Sequence, residues 1–426
     1  MPAPTGPSPP EAVLDHVAAG IDVVVPLANG EPVALIDELE AHAGSLEGVR
    51  VHQMHALVDR DYMDGRHGDH LRHVSYFLSH ITRPHLHEGG LDLVPAHFSE
   101  MPALLDRTLR KPLILAASSL PDRHGFFSLG TNADYAARFV GRWPIFLEAN
   151  RQMPRTFGHN MVHVSQLLGW AEVDRPLIQV PAIEPNRTDR AIADLIAERI
   201  PDRATIQAGL GSIPNAVMEA LGDHHDIGVH TELISDGIMD LVEAGVVTGL
   251  YKKRRPNQMV TTFALGSARL YDWLHDNVGV EFLPVDHVND PRVIAEEPDF
   301  ASINATTEVD FLGQAASETI GGRYWSGSGG QADFAKGAML AERGQGFIVL
   351  RSTTSDGATT RIVPRLARGS VVTTLKNTVD KVVTEWGVAE LRGRSLSGRA
   401  EALIEIAHPD FRDQLRREAV HLGYLR

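Results

Sequence analysis

The chain has 426 residues, 55 acidic against 40 basic side chains, a formal net charge of −15 and no cysteine. The missing thiol excludes disulfides, thiolate metal sites, iron–sulfur clusters and a cysteine nucleophile. The acidic balance argues against a nucleic-acid partner, whose phosphates need clustered Lys and Arg.

This length exceeds what a single core usually supports, so two domains are expected. Residues 1–10, MPAPTGPSPP, read as a disordered tail without the charged start and apolar core of a signal peptide. No run of 18 apolar residues follows, so no membrane contact and a cytoplasmic location are expected. From residue 11 the texture is mixed α/β. Apolar, β-branched runs at 22–27 (DVVVPL), 112–118 (PLILAAS), 260–266 (VTTFALG), 347–353 (FIVLRST) and 370–375 (SVVTTL) are predicted strands. In residues 189–200, Ile192, Leu195, Ile196 and Ile200 share one helical face. Buried strands alternating with amphipathic helices predict a mostly parallel sheet with helices on its faces. The polar stretch 182–190 lacks either period and marks the boundary, giving domains over 11–187 and 188–426.

Histidines crowd the first half: His52, His55, His67, His70, His73, His80, His85 and His87. His67, His70 and His73 fall three apart, a spacing that puts them on one side of a helix. There is no HExxH, and no carboxylate is spaced to complete a facial triad, so surface or hydrogen-bonding roles are expected rather than metal.

Residues 204–221 run from an apolar strand through Gly209-Leu210-Gly211 into a helix, with Ser212 as N-cap and Pro214 in the first turn. Such a turn exposes backbone amides to a phosphate or a developing oxyanion. An ordinary tight turn of an α/β sheet has the same pattern, and locally the two readings stand level. Residues 226–247 repeat the strand–turn–helix arrangement, with His230-Thr231-Glu232 at the strand's carboxyl end, a turn at 235–237 and a helix from Ile238. A lone carboxylate in such a position is more often a salt-bridge or capping partner. As a nucleophile, with an ordinary pKa near ~4.3, it is ionised at pH 7 and needs no partner base. No G-x-S-x-G elbow competes with it. Ser326-Gly327-Ser328-Gly329-Gly330 forms a third glycine cluster, either an anion nest or a surface loop.

These segments, with DLVPAHFSEMP at 92–102, VDHVNDP at 285–291, INATTEVD at 303–310, GSGGQADF at 327–334 and VTEWGVAELRGRSL at 383–396, resemble the 4-hydroxybutyrate CoA-transferase and acetyl-CoA hydrolase/transferase family. The resemblance spans nearly the whole chain after the tail. It implies two similar open α/β domains with the active site between them, and a homodimer or higher homo-oligomer. It implies Glu232 as the catalytic glutamate. Gly209, Leu210, Gly211, Ser212 and Ile213 become a CoA-binding turn, with an oxyanion donor at the Leu210 amide, and Gly329 and Gly330 supply a second donor. Asn304, His230 and Ser328 become pocket residues. The implied reaction moves CoA between an acyl-CoA and a small carboxylic acid of the acetate, propionate, butyrate or 4-hydroxybutyrate class. It is ping-pong, through an acyl-glutamyl anhydride and a glutamyl-CoA thioester. Coenzyme A is substrate and transient covalent adduct, with no prosthetic group and no metal. An acyl-CoA hydrolase using the same glutamate is the alternative, followed by a non-catalytic CoA-binding protein. The acyl pocket is expected to draw on 97–100 and 126–128.

Overall fold

The computed structural model describes residues 4–426. The chain divides into two compact units, one running to Pro181 and also taking Val260–Val288, the other Ala182–Met259 with Asn289–Arg426. Residues 1–3 of the expected tail lie outside the described residues. Beyond them the tail is tied down, because the Ser8 N–H and hydroxyl both donate to the Trp170 carbonyl, at 2.8 and 3.1 Å. A 3-10 helix, Pro10–His16, follows and buries Val13. Prolines have little backbone freedom to lose, so few contacts dock such a segment.

In the first unit, β1 (Asp22–Val24), β2 (Val49–Gln53), β3 (Leu71–Ser75), β4 (Asp92–Leu93), β5 (Pro112–Ser118), β6 (Ile145–Asn150) and β7 (Gly169–Val173) form one sheet. Its order is β7-β6-β5-β1-β2-β3-β4 and every pairing is parallel. Residues along β5 and β6 are buried almost without a break, as a sheet covered on both faces requires.

The second unit repeats the plan. β8 (Thr205–Ala208), β9 (Gly228–Val229), β10 (Phe300–Ala305), β11 (Gln345–Val349), β12 (Lys381–Thr384) and β13 (Gly387–Glu390) take the order β9-β8-β10-β11-β12-β13. Only the β12–β13 hairpin is antiparallel. The chain enters at β8, steps to β9 on one side, then returns to β10 on the other. That reversal makes β8/β10 a topological switch point, where open α/β sheets hold ligands beyond their strands' carboxyl ends.

Two local expectations fail. Residues 370–375 form no ladder strand: Thr373 and Thr374 both donate to the single Ala315 carbonyl, and Val371 N–H is taken by Thr319 Oγ1. Competing local acceptors replace the strand partner, and β12 completes the sheet instead. His67, His70 and His73 do not share a helix. His67 and His70 lie in a turn, where His70 Nδ1 meets the Leu46 carbonyl at 2.6 Å, and His73 belongs to β3.

Five helices of the second unit matter for the site: α1 (Arg187–Ala197), α2 (Ser212–Ala220), α3 (Asp236–Glu243), α4 (Pro291–Ile294) and α5 (Gln331–Leu340). On α1, Ile192 and Ile196 are buried as their spacing predicts, with Leu195 at the edge. α3 starts at Asp236 rather than Ile238, since Ser235 is already its extended N-cap. Asp290 caps α4 through the Arg292 N–H at 2.8 Å, and Pro291 occupies its first turn. α5 packs against α4 at Gly337, where an added Cβ would land on the Ile294 side chain. Among the described residues, no helix is long and apolar enough to cross a membrane.

The α4–α5 contact yields a prediction whose sign is diagnostic. In an open helix, Gly→Ala gains about 1 kcal/mol from propensity. Gly337→Ala should instead lower stability by about 1–3 kcal/mol, because the methyl overpacks against Ile294. Denaturant unfolding followed by circular dichroism reads the difference.

Candidate active site

β8 ends at Ala208 and the chain turns at once through Gly209–Gly211. Gly211 takes φ +130°, a region side chains rarely adopt, and is itself the N-cap of α2. Ser212 is therefore the first helical residue and not the cap expected from the sequence. Its hydroxyl accepts from Arg351 Nη2 at 3.3 Å. Arg351 in turn grips the fully buried Asp189 of α1 through two bonds of 2.8 Å. A Cβ on Gly209 would meet nothing within 4 Å, and the Leu210 side chain is 43 % exposed. The turn is open on its outer side, while Ile213 and Val217 anchor α2 in the core.

Glu232 follows β9, one residue beyond the buried Thr231. Asn289 Nδ2 donates to Glu232 Oε2 at 2.7 Å. The Gly330 amide, at the N-cap of α5, donates to the same carboxyl group. Gly330 has an ordinary φ of −97°, so its requirement is for space and not for conformation. A Cβ there would fall on Glu232 Oε2 and Asn289 Nδ2. Gly329 beside it, with φ +52°, meets the conformational demand. The two glycines thus do different jobs.

Glu232 keeps partial solvent exposure, yet protein atoms crowd it enough to dominate its ionisation. Lost hydration raises its pKa, Asn289 lowers it, Asp333 raises it again, and Gly330 lowers it, for a result of about 7. This corrects the expectation of an ordinary, wholly ionised glutamate. Near neutrality both protonation states are therefore populated. Asn289 is fully buried, and its Oδ1 has no partner among the described residues. Leaving such an atom dry costs about 1–3 kcal/mol, so the amide's one strong contact is with Glu232.

The remaining expected residues separate. Asn304, near the carboxyl end of β10, exchanges amide hydrogen bonds with Gln207 of β8 at 3.0 and 3.3 Å, across the switch point. His230 is buried, its ring edge-on to Phe300 and Phe334 at 6.3 and 6.5 Å, which makes it part of the support beneath Glu232. Ser328 is partly exposed beside the buried Gly327 and Gly329. Phe98, Phe127 and Ser128 are core residues of the first unit, whereas Phe126 is 40 % exposed. Among the described residues, no group of three His, Asp or Glu side chains converges as a metal set.

Asn289, Asp333 and Arg351 escaped the sequence reading. Asn289 lies in the VDHVNDP segment, and the only local signal is an amide ahead of an Asp-Pro helix start. Pairing it with a glutamate 57 positions away requires the fold.

The raised pKa has a thermodynamic consequence. Glu232's folded-state pKa lies above the model value of 4.5. Its favourable contribution is present below that value and lost as pH rises through about 7. Glu232→Gln should therefore be more stable than the parent at pH 8, by of order 1–3 kcal/mol. The difference should vanish near pH 4.5, as read from paired unfolding curves.

Comparison with known proteins places these residues in context. Residues 8–194 match the acetyl-CoA hydrolase/transferase N-terminal domain and residues 266–419 its C-terminal domain. The succinyl-CoA:cyclohexane-1-carboxylate CoA transferase of Geobacter metallireducens is 41 % identical over 97 % of this chain and 94 % of its own. The 4-hydroxybutyrate coenzyme A transferase of Clostridium kluyveri is 39 % identical over 93 % of each. The crystal structure of RipA from Yersinia pestis superposes with a TM-score of 0.93 at 33 % identity, covering 98 % of both chains. The chain belongs to the acetyl-CoA hydrolase/transferase family.

Proposed function

We propose that this chain moves CoA from an acyl-CoA to a small carboxylic acid, with Glu232 as the nucleophile. The observation that carries the reading is the Glu232 carboxyl gripped by Asn289 and the Gly330 amide, in a space only glycine leaves open. The similarity to transferases acting on 4-hydroxybutyrate and on cyclohexane-1-carboxylate supports the same class of acid here.

In this mechanism a Glu232 oxygen attacks the thioester carbonyl. The C–S bond breaks and CoA leaves as thiolate, giving a mixed acyl–glutamyl anhydride. The thiolate then attacks the glutamyl carbonyl, the bond from that carbon to the bridging oxygen breaks, and the acyl group departs with that oxygen as the free carboxylate. Glu232 now carries CoA as a thioester. An incoming carboxylate reverses both steps and leaves as its own CoA ester. Kinetics are ping-pong. The Leu210 amide and the amides of Gly329 and Gly330 are the proposed oxyanion donors, each worth about 3 kcal/mol. In the free enzyme the Gly330 N–H serves the carboxylate, so it shifts partner as the carbonyl oxygen charges.

Intact mass after incubation with acetyl-CoA should show a CoA adduct on the parent and none on Glu232→Ala. Full activity in that variant would sink the mechanism. Transfer requires an added carboxylate for sustained CoA release. Release at full rate in water alone would assign hydrolysis instead.

The pH profile gives an independent check. Only ionised Glu232 attacks, so kcat/KM should fall as pH drops through about 7. Asp333→Asn should move that limb to lower pH, and Asn289→Ala should move it higher. Stopped assays between pH 5 and pH 9 would show whether the two shifts oppose each other.

A further inference from the structure

Arg361 is an unexplained charge of the second unit. It is partly buried, yet among the described residues its guanidinium meets neither a carboxylate nor any other acceptor. Its charged neighbour is another arginine, Arg351. Burial and that like charge both hold Arg361 below the usual guanidinium range. Arg399, comparably placed, donates to the Leu312 and Lys376 carbonyls at 2.8 Å, so an unserved guanidinium is not this unit's habit.

The acids around the pair are already committed. Asp189 takes both bonds from Arg351. Glu385 accepts from the Ser352 N–H at 2.9 Å and from its hydroxyl at 2.5 Å. Asp356, in the turn between the two arginines, accepts from Thr354 and the Ala358 N–H. The backbone holds the arginines close: Thr353 pairs with Thr360, and the Arg361 N–H donates to the Ser352 carbonyl at 2.8 Å. Arg351 reaches Ser212 on the open glycine turn. A half-buried cation beside a like charge is stabilised by an anion that the protein itself does not supply.

We infer that Arg361, with Arg351 beside it, holds a phosphate group of coenzyme A next to the Gly209–Ser212 turn. This rests on the CoA reading above and goes further by assigning the residues that recognise the nucleotide end. Guanidinium forks match phosphate oxygens, and CoA carries a pyrophosphate and a 3′-phosphate. Affinity from that remote end orients the thioester without touching the reacting atoms.

The test is calorimetric titration of the full chain with CoA, dephospho-CoA and pantetheine, needing no turnover. In Arg361→Ala the preference for CoA over pantetheine should fall by about tenfold or more, the value of a charged hydrogen bond. Arg361→Gln, closer in shape, should lose the same preference and guards against misfolding of the alanine variant. If dephospho-CoA loses affinity in parallel with CoA, the pyrophosphate is the bound group. If dephospho-CoA is spared, it is the 3′-phosphate. An unchanged CoA-over-pantetheine preference in both folded variants overturns the inference. The Glu232 adduct, formed or not, reports separately on the reaction.

Discussion

Glu232 loses much of its hydration before any substrate arrives, and the rest of the site compensates for that loss. Two donors, Asn289 and Gly330, oppose the desolvation, while Asp333 adds to it. Each donor depends on structure built elsewhere in the unit. Asn289 enters α4 through the Asp290 cap, and Gly330 starts α5. Those helices are held together where Gly337 admits Ile294. A glycine seven residues along a helix from Gly330 thus sets the spacing at the carboxylate, because interiors transmit displacement instead of absorbing it.

Charge is handled locally in the same way. A net charge of −15 is a poor global environment for an anionic cofactor-like substrate. In the proposed reading the second unit would answer with amides at a glycine turn and a pair of arginines, one of which is anchored by buried Asp189. Burial opposes ionisation of that carboxyl, but Arg351, the Asn186 N–H and Ser212 together hold it below the usual range. The field at one turn matters more than the sum over the surface, since exposed charges beyond about 10 Å are screened.

Much of this was legible in the sequence. Alternation of buried runs with helical period announced the parallel sheets, and the glycine at 330 announced a place where side chains approach the backbone closely. The ordered motifs carried the family. The illegible part is long-range. A reference pKa describes a solvated glutamate, and nothing local to residue 232 reports Asn289 or Asp333. The run at 370–375 has strand composition, yet the Ala315 carbonyl and Thr319 hydroxyl occupy its N–H groups. The histidines at 67, 70 and 73 have helical spacing, but Gly65 and Gly68, both with positive φ, break the chain into a turn first. Composition gives propensity, and which partner arrives is decided by tertiary structure.

The elevated pKa also bears on direction in the proposed mechanism. The mixed anhydride offers the CoA thiolate two carbonyls. Attack on the acyl carbonyl expels Glu232 and returns the starting thioester; attack on the glutamyl carbonyl expels the product acid. The weaker base leaves more readily. A simple aliphatic acid ionises near ~4–5 in water, whereas Glu232 in its crowded setting does so at about 7. The difference favours expulsion of the substrate acid and retention of the enzyme's own acyl bond, which is the step that loads CoA onto the protein. Desolvation that costs folding stability and holds the Glu232 pKa above its ordinary value would, in that mechanism, have a kinetic return. On that proposal Glu232 would be the poorer leaving group of the two at the point where the reaction must choose.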